Sequence, residues 1–499
     1  MRIATLLSAG ILTLLATTAS AGTIHPAVQA QMAAASDQDQ LSVIVNMVEQ
    51  APVAQLNQEL KARRATLRER HAEVVTALQA TRGSQQALRS HLEERIRLGG
   101  VSGYTSYWIS NLLVVQATKA EIETIARRQD VDLIEPNFTA NLIKPVEEPA
   151  PGSEGEPSRG IGVTPGLRAI NAPQVWYELG INGAGRLVAN IDTGVDGNHP
   201  ALRTRWRGYN GAHPWQECWL DLLGYGYTSP RDNYGHGTHV MGTITGLGAG
   251  TQDTVGVAWG ASWIATNPID QGVGSGFDND ILAAFQWLTD PDGNPNTTDD
   301  VPDVVQNSWG INEQFGSGYT DCDSRWWAVI DNCEAAGVVV TVSAGNEGPG
   351  ARSLRSPADR ATTVYNAFSI GAVDATAYNW PYPIAYFSSR GPTGCNVPSE
   401  RQIKPEVCAP GVNVYSCVPG TGYSQNYSGT SMAGPHVAGV VALMRQANPN
   451  LDVDTIKEVL LATSRDEGNA GEDNTYGWGF IDAYAAVVAV SQGNGELRG

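Results

Sequence analysis

Two short apolar runs, each ending in a chemically distinctive residue bracketed by glycine, constrain this chain more than any other feature. Leu187-Val188-Ala189-Asn190-Ile191 lies between Gly185 and Gly194 and delivers Asp192. Gly337-Val338-Val339-Val340-Thr341-Val342-Ser343 runs into Ala344-Gly345-Asn346-Glu347-Gly348. Runs this short and apolar read as strands buried on both faces, the pattern of a parallel sheet. Such strands carry their terminal groups to one carboxyl edge, where open α/β sheets hold their sites.

Two further segments add chemistry. In Asn233-Tyr234-Gly235-His236-Gly237-Thr238-His239-Val240 glycines flank a histidine ahead of an apolar stretch. In Gly429-Thr430-Ser431-Met432-Ala433-Gly434-Pro435-His436 small residues surround a hydroxyl where the apolar run Val437–Met444 begins a helix. A bare hydroxyl is a poor nucleophile and needs a base, an orienter for that base and donors for the oxyanion. Taken singly, each segment has an ordinary explanation: an Asp after a strand caps a helix or sits in a turn, a glycine-flanked His is structural, and Ala-Gly-Asn-Glu-Gly is a turn. His236 and His239, three apart, invite a zinc reading. The Glu and following His of a metalloprotease helix are absent, however, and the intervening Gly-Thr disfavours a regular helix. The conjunction of Asp, His, Asn and Ser, each at the end of an expected element, is what points to one site.

The segments Asp192-Thr193-Gly194, His236-Gly237-Thr238-His239, Ala344-Gly345-Asn346 and Gly429-Thr430-Ser431-Met432-Ala433 with Pro435-His436-Val437-Ala438-Gly439 resemble those of subtilisin-like serine proteases, the subtilases of peptidase family S8. Val305-Gln306-Asn307-Ser308-Trp309-Gly310, Phe387-Ser388-Ser389-Arg390-Gly391-Pro392, Lys404-Pro405-Glu406-Val407-Cys408-Ala409-Pro410-Gly411 and Tyr476-Gly477-Trp478-Gly479-Phe480-Ile481-Asp482-Ala483 extend the resemblance from about Gly162 to Val490. It implies a parallel sheet flanked by helices over residues 161–490. It also implies a triad of Asp192, His236 and Ser431 in the chain order of this family, Asn346 as oxyanion donor, and Ser308, Trp309 and Gly310 as the strand that binds substrate. The expected function is a secreted serine endopeptidase made as a self-cleaving zymogen. The alternative is a self-cleaved but inhibited, or inactive, protease scaffold that acts as a binding protein.

The N-terminal third differs in character. Arg2, an apolar stretch Ile3–Ala16 and Ala19-Ser20-Ala21 read as a signal peptide over 1–21, which places the product outside the cytoplasm, secreted or periplasmic. Residues 22–142 read as strand (Leu41–Val48), one long helix (Val53–Ile96), a second strand pair (Tyr107–Ala117), a short helix opened by a capping box at Thr118-Lys119-Ala120-Glu121, and a last strand at Val131–Asn137. This resembles the small α+β, ferredoxin-like inhibitory prodomain of many subtilases, an intramolecular inhibitor and chaperone. Lys144–Arg159, rich in Pro, Glu, Gly and Ser, reads as part of a flexible linker over 143–160, and 491–499 as a polar tail.

Charge and cysteines bound the partners. Residues 160–499 carry 17 Lys+Arg against 34 Asp+Glu, leaving no basic stripe for nucleic acid. No other segment is long and apolar enough for a membrane span. Protein or peptide substrates and the chain's own prodomain are the expected partners of a monomer. All six cysteines (Cys218, Cys322, Cys333, Cys395, Cys408, Cys417) follow the prodomain. Cys322–Cys333 is the favoured disulfide, with a second among Cys395, Cys408 and Cys417; free buried thiols are the alternative. No cofactor is expected for catalysis. The usual high-affinity calcium site of the family is expected to be missing, because Ala201 follows His199-Pro200 and the loop after Thr243 holds Asp253 as its one ionisable oxygen donor. Structural Ca2+ elsewhere, at Asp290-Pro291-Asp292-Gly293-Asn294 or Asp299-Asp300, competes with a solvated-turn reading. The resemblance aligns Ser356-Pro357 so that Arg355 falls near the floor of the primary specificity pocket, where a guanidinium favours an acidic side chain before the scissile bond. If Arg352 and Arg355 instead point to solvent, the pocket takes large apolar residues beside Trp309.

Overall fold

The computed structural model describes residues 21–491 except 139, 147–161, 249–253, 270–279, 313–319, 364–366 and 378. Residues 1–20 of the expected signal peptide, 147–160 of the expected linker and the tail beyond Ser491 therefore lie outside the described residues. Among the described residues no helix is long and apolar enough to cross a membrane.

The N-terminal unit follows the order β1 (Thr23–Ile24), α1 (Pro26–Ala34), β2 (Leu41–Met47), α2 (Val53–Ala62), α3 (Leu67–Ala80), α4 (Gln86–Arg97), β3 (Val101–Tyr107), β4 (Leu112–Ala117), α5 (Lys119–Ala126), β5 (Val131–Pro136) and β6 (Asn141–Leu142). Its sheet has the order β1-β5-β2-β4-β3, antiparallel except for β1 with β5. Val43, Val45, Leu113 and Val115 of the central strands pack with Leu88, Leu92, Ile122 and Ile125 of α4 and α5 to form its core.

The long helix expected over Val53–Ile96 is three helices and a 3-10 turn. Arg64 adopts a positive φ of 53°, and Thr66 caps α3 in a reciprocal box with Glu69. The box expected at Thr118 does not form: its side chain makes no cap bond, and Glu121 turns instead to His91 and Arg95. The extra helices α2 and α3 lie against the larger domain, where Leu60, Val74, Val75 and Leu78 pack on Ala335 and Ala336. Buried His71 places Nε2 2.8 Å from Thr289 O and Nδ1 3.0 Å from Pro295 O.

The larger domain contains α6 (Pro165–Ala169), α7 (Ala172–Leu179), β7 (Leu187–Ile191), β8 (Trp219–Leu220), α8 (His236–Thr245), β9 (Ser262–Thr266), α9 (Asp280–Thr289), β10 (Val304–Asn307), β11 (Trp309–Gly310), α10 (Trp327–Ala335) and β12 (Val339–Ser343). It continues with β13 (Phe368–Val373), β14 (Val407–Pro410), β15 (Val414–Cys417), β16 (Tyr423–Tyr427), α11 (Thr430–Ala447), α12 (Val453–Thr463) and α13 (Ala483–Ser491). Seven strands in the order β14-β13-β12-β10-β7-β9-β8 form an all-parallel sheet. Every residue of β7, β10 and β12 is buried, as the apolar runs of β7 and β12 predict, and β10 buries the polar Gln306 and Asn307 as well. The chain order reverses between β7 and β10, so a crevice opens at their carboxyl ends. The largely buried α11 lies directly on β10: a Cβ at Gly434 would come 2.2 Å from Gln306 Nε2. Glycine is what lets this helix, whose first turn carries Ser431, sit so close to the sheet.

The disulfide joins Cys322 to Cys395, 73 residues apart, and not to Cys333. Cys333 lies on the buried side of α10 beside Thr289, while Cys322 precedes the helix at φ 61° and faces the loop that carries Cys395. Cys218, Cys333, Cys408 and Cys417 are buried free thiols, so the second expected bridge is absent. Burial pushes Cys218 up to about 11 and Cys333 and Cys417 up to about 12, which keeps them unreactive.

Candidate active site

Asp192 follows β7 directly and is fully buried. Its Oδ1 lies 2.7 Å from Nδ1 of His236, the first residue of α8, also fully buried, and accepts the Thr193 N–H at 2.8 Å. This contact fixes the imidazole with Nδ1 toward the carboxylate and leaves Nε2 for other work; Nε2 has no hydrogen-bond partner. The helix start can approach the strand end only because Gly237 lacks a side chain, since a Cβ there would sit 2.0 Å from Gly194 O.

Ser431 is the second residue of α11, where orphan N–H groups and the helix dipole favour negative charge. Its hydroxyl donates to the carbonyl of Ile143 at 2.8 Å. Asn346 lies just beyond β12. Its Oδ1 accepts from Thr430 N at 2.9 Å and Thr430 Oγ1 at 3.0 Å, which orients the amide so that Nδ2 donates to Lys144 O at 2.9 Å.

The cleft therefore holds the chain's own residues 141–146. β6 pairs antiparallel with β11, Leu142 opposite Trp309 and Asn141 opposite Gly310. Ile143 N donates to Ser308 O at 3.0 Å, and Val146 N to Ser428 O at 2.7 Å. Leu142 and Ile143 are buried, whereas Lys144 is exposed. Residues 143–146, expected to open a flexible linker, are instead bound in the crevice by the Ile143 and Val146 N–H groups and the Ile143 and Lys144 carbonyls. Backbone pairing of this kind accepts any extended segment, while side-chain pockets set preference.

Arg355 behaves as neither sequence reading anticipated. It is buried and does not point to solvent; its guanidinium pairs with Glu347, with Nε 2.9 Å from Oε1, and Nη1 reaches Leu142 O at 3.3 Å. The expected cation beside the cleft is thus already compensated. Trp309 is 1 % exposed; its indole donates to Asn307 Oδ1 and packs against Phe285 and Trp326. His239, which invited the zinc reading, stacks on Tyr427 and bonds Val414 O at 2.9 Å through Nε2. Burial pushes it down to about 3, so it is neutral. His199 likewise serves the fold, bonding Gly422 O at 2.9 Å, whereas residues 249–253 of the loop expected to lack calcium ligands lie outside the described residues.

The sequence reading missed Thr193, Asp232, Glu347 and Thr430, which hold the groups above in place. Their signal was adjacency: each lies within four residues of an expected site residue.

A hydroxyl at a helix start and an amide that both contact one strand-bound segment, with a buried imidazole oriented by a carboxylate, form a site suited to acyl transfer on peptides. Comparison with known proteins gives that class its family: the Subtilase family model (peptidase S8) matches residues 183–479, and the chain belongs to it. It is 36% identical over 465 residues to "Bacillopeptidase F" of Bacillus subtilis (strain 168), covering 89% of this chain and 30% of that protein. It is 32% identical over 324 residues to "Serine protease AprX" of the same organism, covering 62% of this chain and 67% of that protein. The chain therefore spans less than a third of the length of bacillopeptidase F. The crystal structure of fervidolysin from Fervidobacterium pennivorans, titled a keratinolytic enzyme related to subtilisin, superposes with a TM-score of 0.57 at 23% identity, over 90% of this chain and 61% of that one.

Proposed function

We propose that the chain is an exported serine endopeptidase that hydrolyses protein substrates and is made as a self-cleaving precursor. The observation that carries this reading is the segment 141–146, held in extended form with the Ile143 carbonyl on the Ser431 hydroxyl. Ser431 Oγ attacks the Ile143 carbonyl carbon while His236 Nε2 takes its proton and passes it to the departing Lys144 amine. Asp192 holds the imidazole tautomer and stabilises the imidazolium. The oxyanion is received by the Ser431 N–H and by the Asn346 amide, which must shift to it from the adjacent Lys144 carbonyl that it bonds here. Water then hydrolyses the acyl-enzyme by the same route in reverse. No metal or other cofactor takes part in this chemistry.

On this reading the N-terminal unit is both the first substrate and, after the cut, a product still bound by β6, Arg355 and the α2–α3 contact. The signal peptide expected over 1–21 supports export. The occupied cleft also favours a second reading, in which the cut chain stays inhibited and serves as a binding protein. Casein digestion by the purified mature form, with a fluorophosphonate label mapped by mass spectrometry to Ser431, supports the enzyme. An unlabelled, inactive complex that retains residues 22–143 supports the binder, and absence of label in a mature form free of those residues overturns the enzyme.

A further inference from the structure

The two halves of the Asp192–His236 pair come from segments 44 residues apart, and one 2.7 Å hydrogen bond does not fix their mutual geometry. A second buried carboxylate does. Asp232 Oδ1 accepts from Thr193 Oγ1 at 2.9 Å, Tyr234 N at 3.0 Å and Gly235 N at 2.7 Å. Its Oδ2 accepts from Thr238 N at 2.8 Å and Thr238 Oγ1 at 2.6 Å. Thr193 Oγ1 in turn accepts the N–H of Gly237 at 2.9 Å. The residue after Asp192 and the two residues after His236 are thereby tied to one side chain.

The local sequence explains why Asp232 takes this place. α8 begins at His236 behind Gly235, a cap position with φ 104° and no side chain to satisfy the first-turn N–H groups. Asp232, three residues earlier, reaches forward as a substitute cap, and a carboxylate is favoured at that helix end. All five of its hydrogen-bond partners donate, so the ionised form satisfies each of them, whereas an isosteric amide sets its NH2 against donors.

We infer that Asp232 is a positioning residue, which through Thr193 holds Asp192 and His236 in register; the inference rests on the peptidase reading above. Asp232→Asn keeps the volume and reverses part of the donor pattern. Because a misplacement of about 1 Å at a reacting centre costs on the order of 100-fold, kcat should fall by about that factor with KM nearly unchanged. In the full-length chain the first cut should slow equally. Thr193→Val removes the bridging hydroxyl and leaves Asp232 its other four donors, so it tests the link even if Asp232→Asn folds poorly. It should lower kcat at least tenfold, and Thr193→Ser, which restores the hydroxyl, should recover at least tenfold relative to Thr193→Val. In the double variant Asp232→Asn/Thr193→Val the losses should be less than multiplicative, because both remove one link.

The inference is overturned if Thr193→Val keeps kcat within about twofold of the parent, if either variant raises KM alone, or if Thr193→Ser is no better than Thr193→Val. Failure of a fluorophosphonate to label Ser431 in the unmodified chain would instead sink the peptidase reading. A labelled parent with unaffected variants sinks only the role of Asp232.

Discussion

The place of Ile143 gives the most exact prediction. Its N–H bonds Ser308 O, its carbonyl meets the Ser431 hydroxyl, and its side chain is fully buried, so the first cut should fall between Ile143 and Lys144. The neighbouring Lys144 carbonyl also receives the Asn346 amide, but cleavage there needs a proline nitrogen as leaving group and leaves the Ser308 register unused. Burying an isoleucine side chain is worth about 1.5–3 kcal/mol, and truncation to alanine removes most of that, about 2 kcal/mol. Since docking of this segment precedes attack, Ile143→Ala should lower the productive population, and with it the first-order rate of self-cleavage, about 30-fold. Refolding the full-length chain from denaturant and following conversion by gel, with mass spectrometry of the new N-terminus, measures both rate and position. A mature N-terminus other than Lys144 in the first-formed product, together with an unchanged rate in Ile143→Ala, would refute the reasoning.

Because Glu347 already neutralises Arg355, the intact enzyme should prefer Leu or Phe over Glu before the scissile bond in otherwise identical peptides. Arg355→Ala should expose the Glu347 charge and raise relative cleavage after Lys; a Glu preference abolished by that substitution contradicts the pairing. Replacing Cys322 and Cys395 together by serine frees a loop of 73 residues, which chain entropy values at about 4 kcal/mol; a midpoint in urea unchanged by the double substitution contradicts this. Burial pushes the Glu467 carboxyl up to about 7, opposed by the Tyr382 N–H and Arg465, and leaves its Oε2 without a partner. The folded state therefore binds this proton more tightly than the unfolded chain. Its contribution is present below about pH 4.5 and is lost as pH rises toward 7, so Glu467→Gln should flatten that part of the stability profile. An unaltered slope across that window rules the effect out.

The parallel sheet and the four chemical groups were legible because buried strands leave unbroken apolar runs, and a group at a strand end or helix start is placed by that element alone. Asp192, His236, Asn346 and Ser431 are of this kind. What could not be read depends on pairs of loops. Arg355 takes its meaning from Glu347, and Cys322 finds Cys395 across 73 residues although Cys333 is nearer in sequence. Asp232 in isolation resembles any turn aspartate; only the fold shows it bonded to residues beside both Asp192 and His236. The division of the long helix was readable and was missed: Thr66-Leu67-Arg68-Glu69 is a capping box, which marks a helix start inside a run otherwise rich in helix formers. The first residues of the expected linker differ for another reason, since residues 143–146 have the composition of a solvated segment but continue from β6 along the cleft, where Ser308 O and Ser428 O accept the N–H groups of Ile143 and Val146.

The most direct test of the central claim is the intact mass of the full-length chain expressed in parallel with its Ser431→Ala variant. The account predicts that the parent matures by loss of everything through Ile143, while the variant accumulates uncut and digests no casein. Maturation of Ser431→Ala at the same bond and the same rate, in the absence of any other protease, would contradict it.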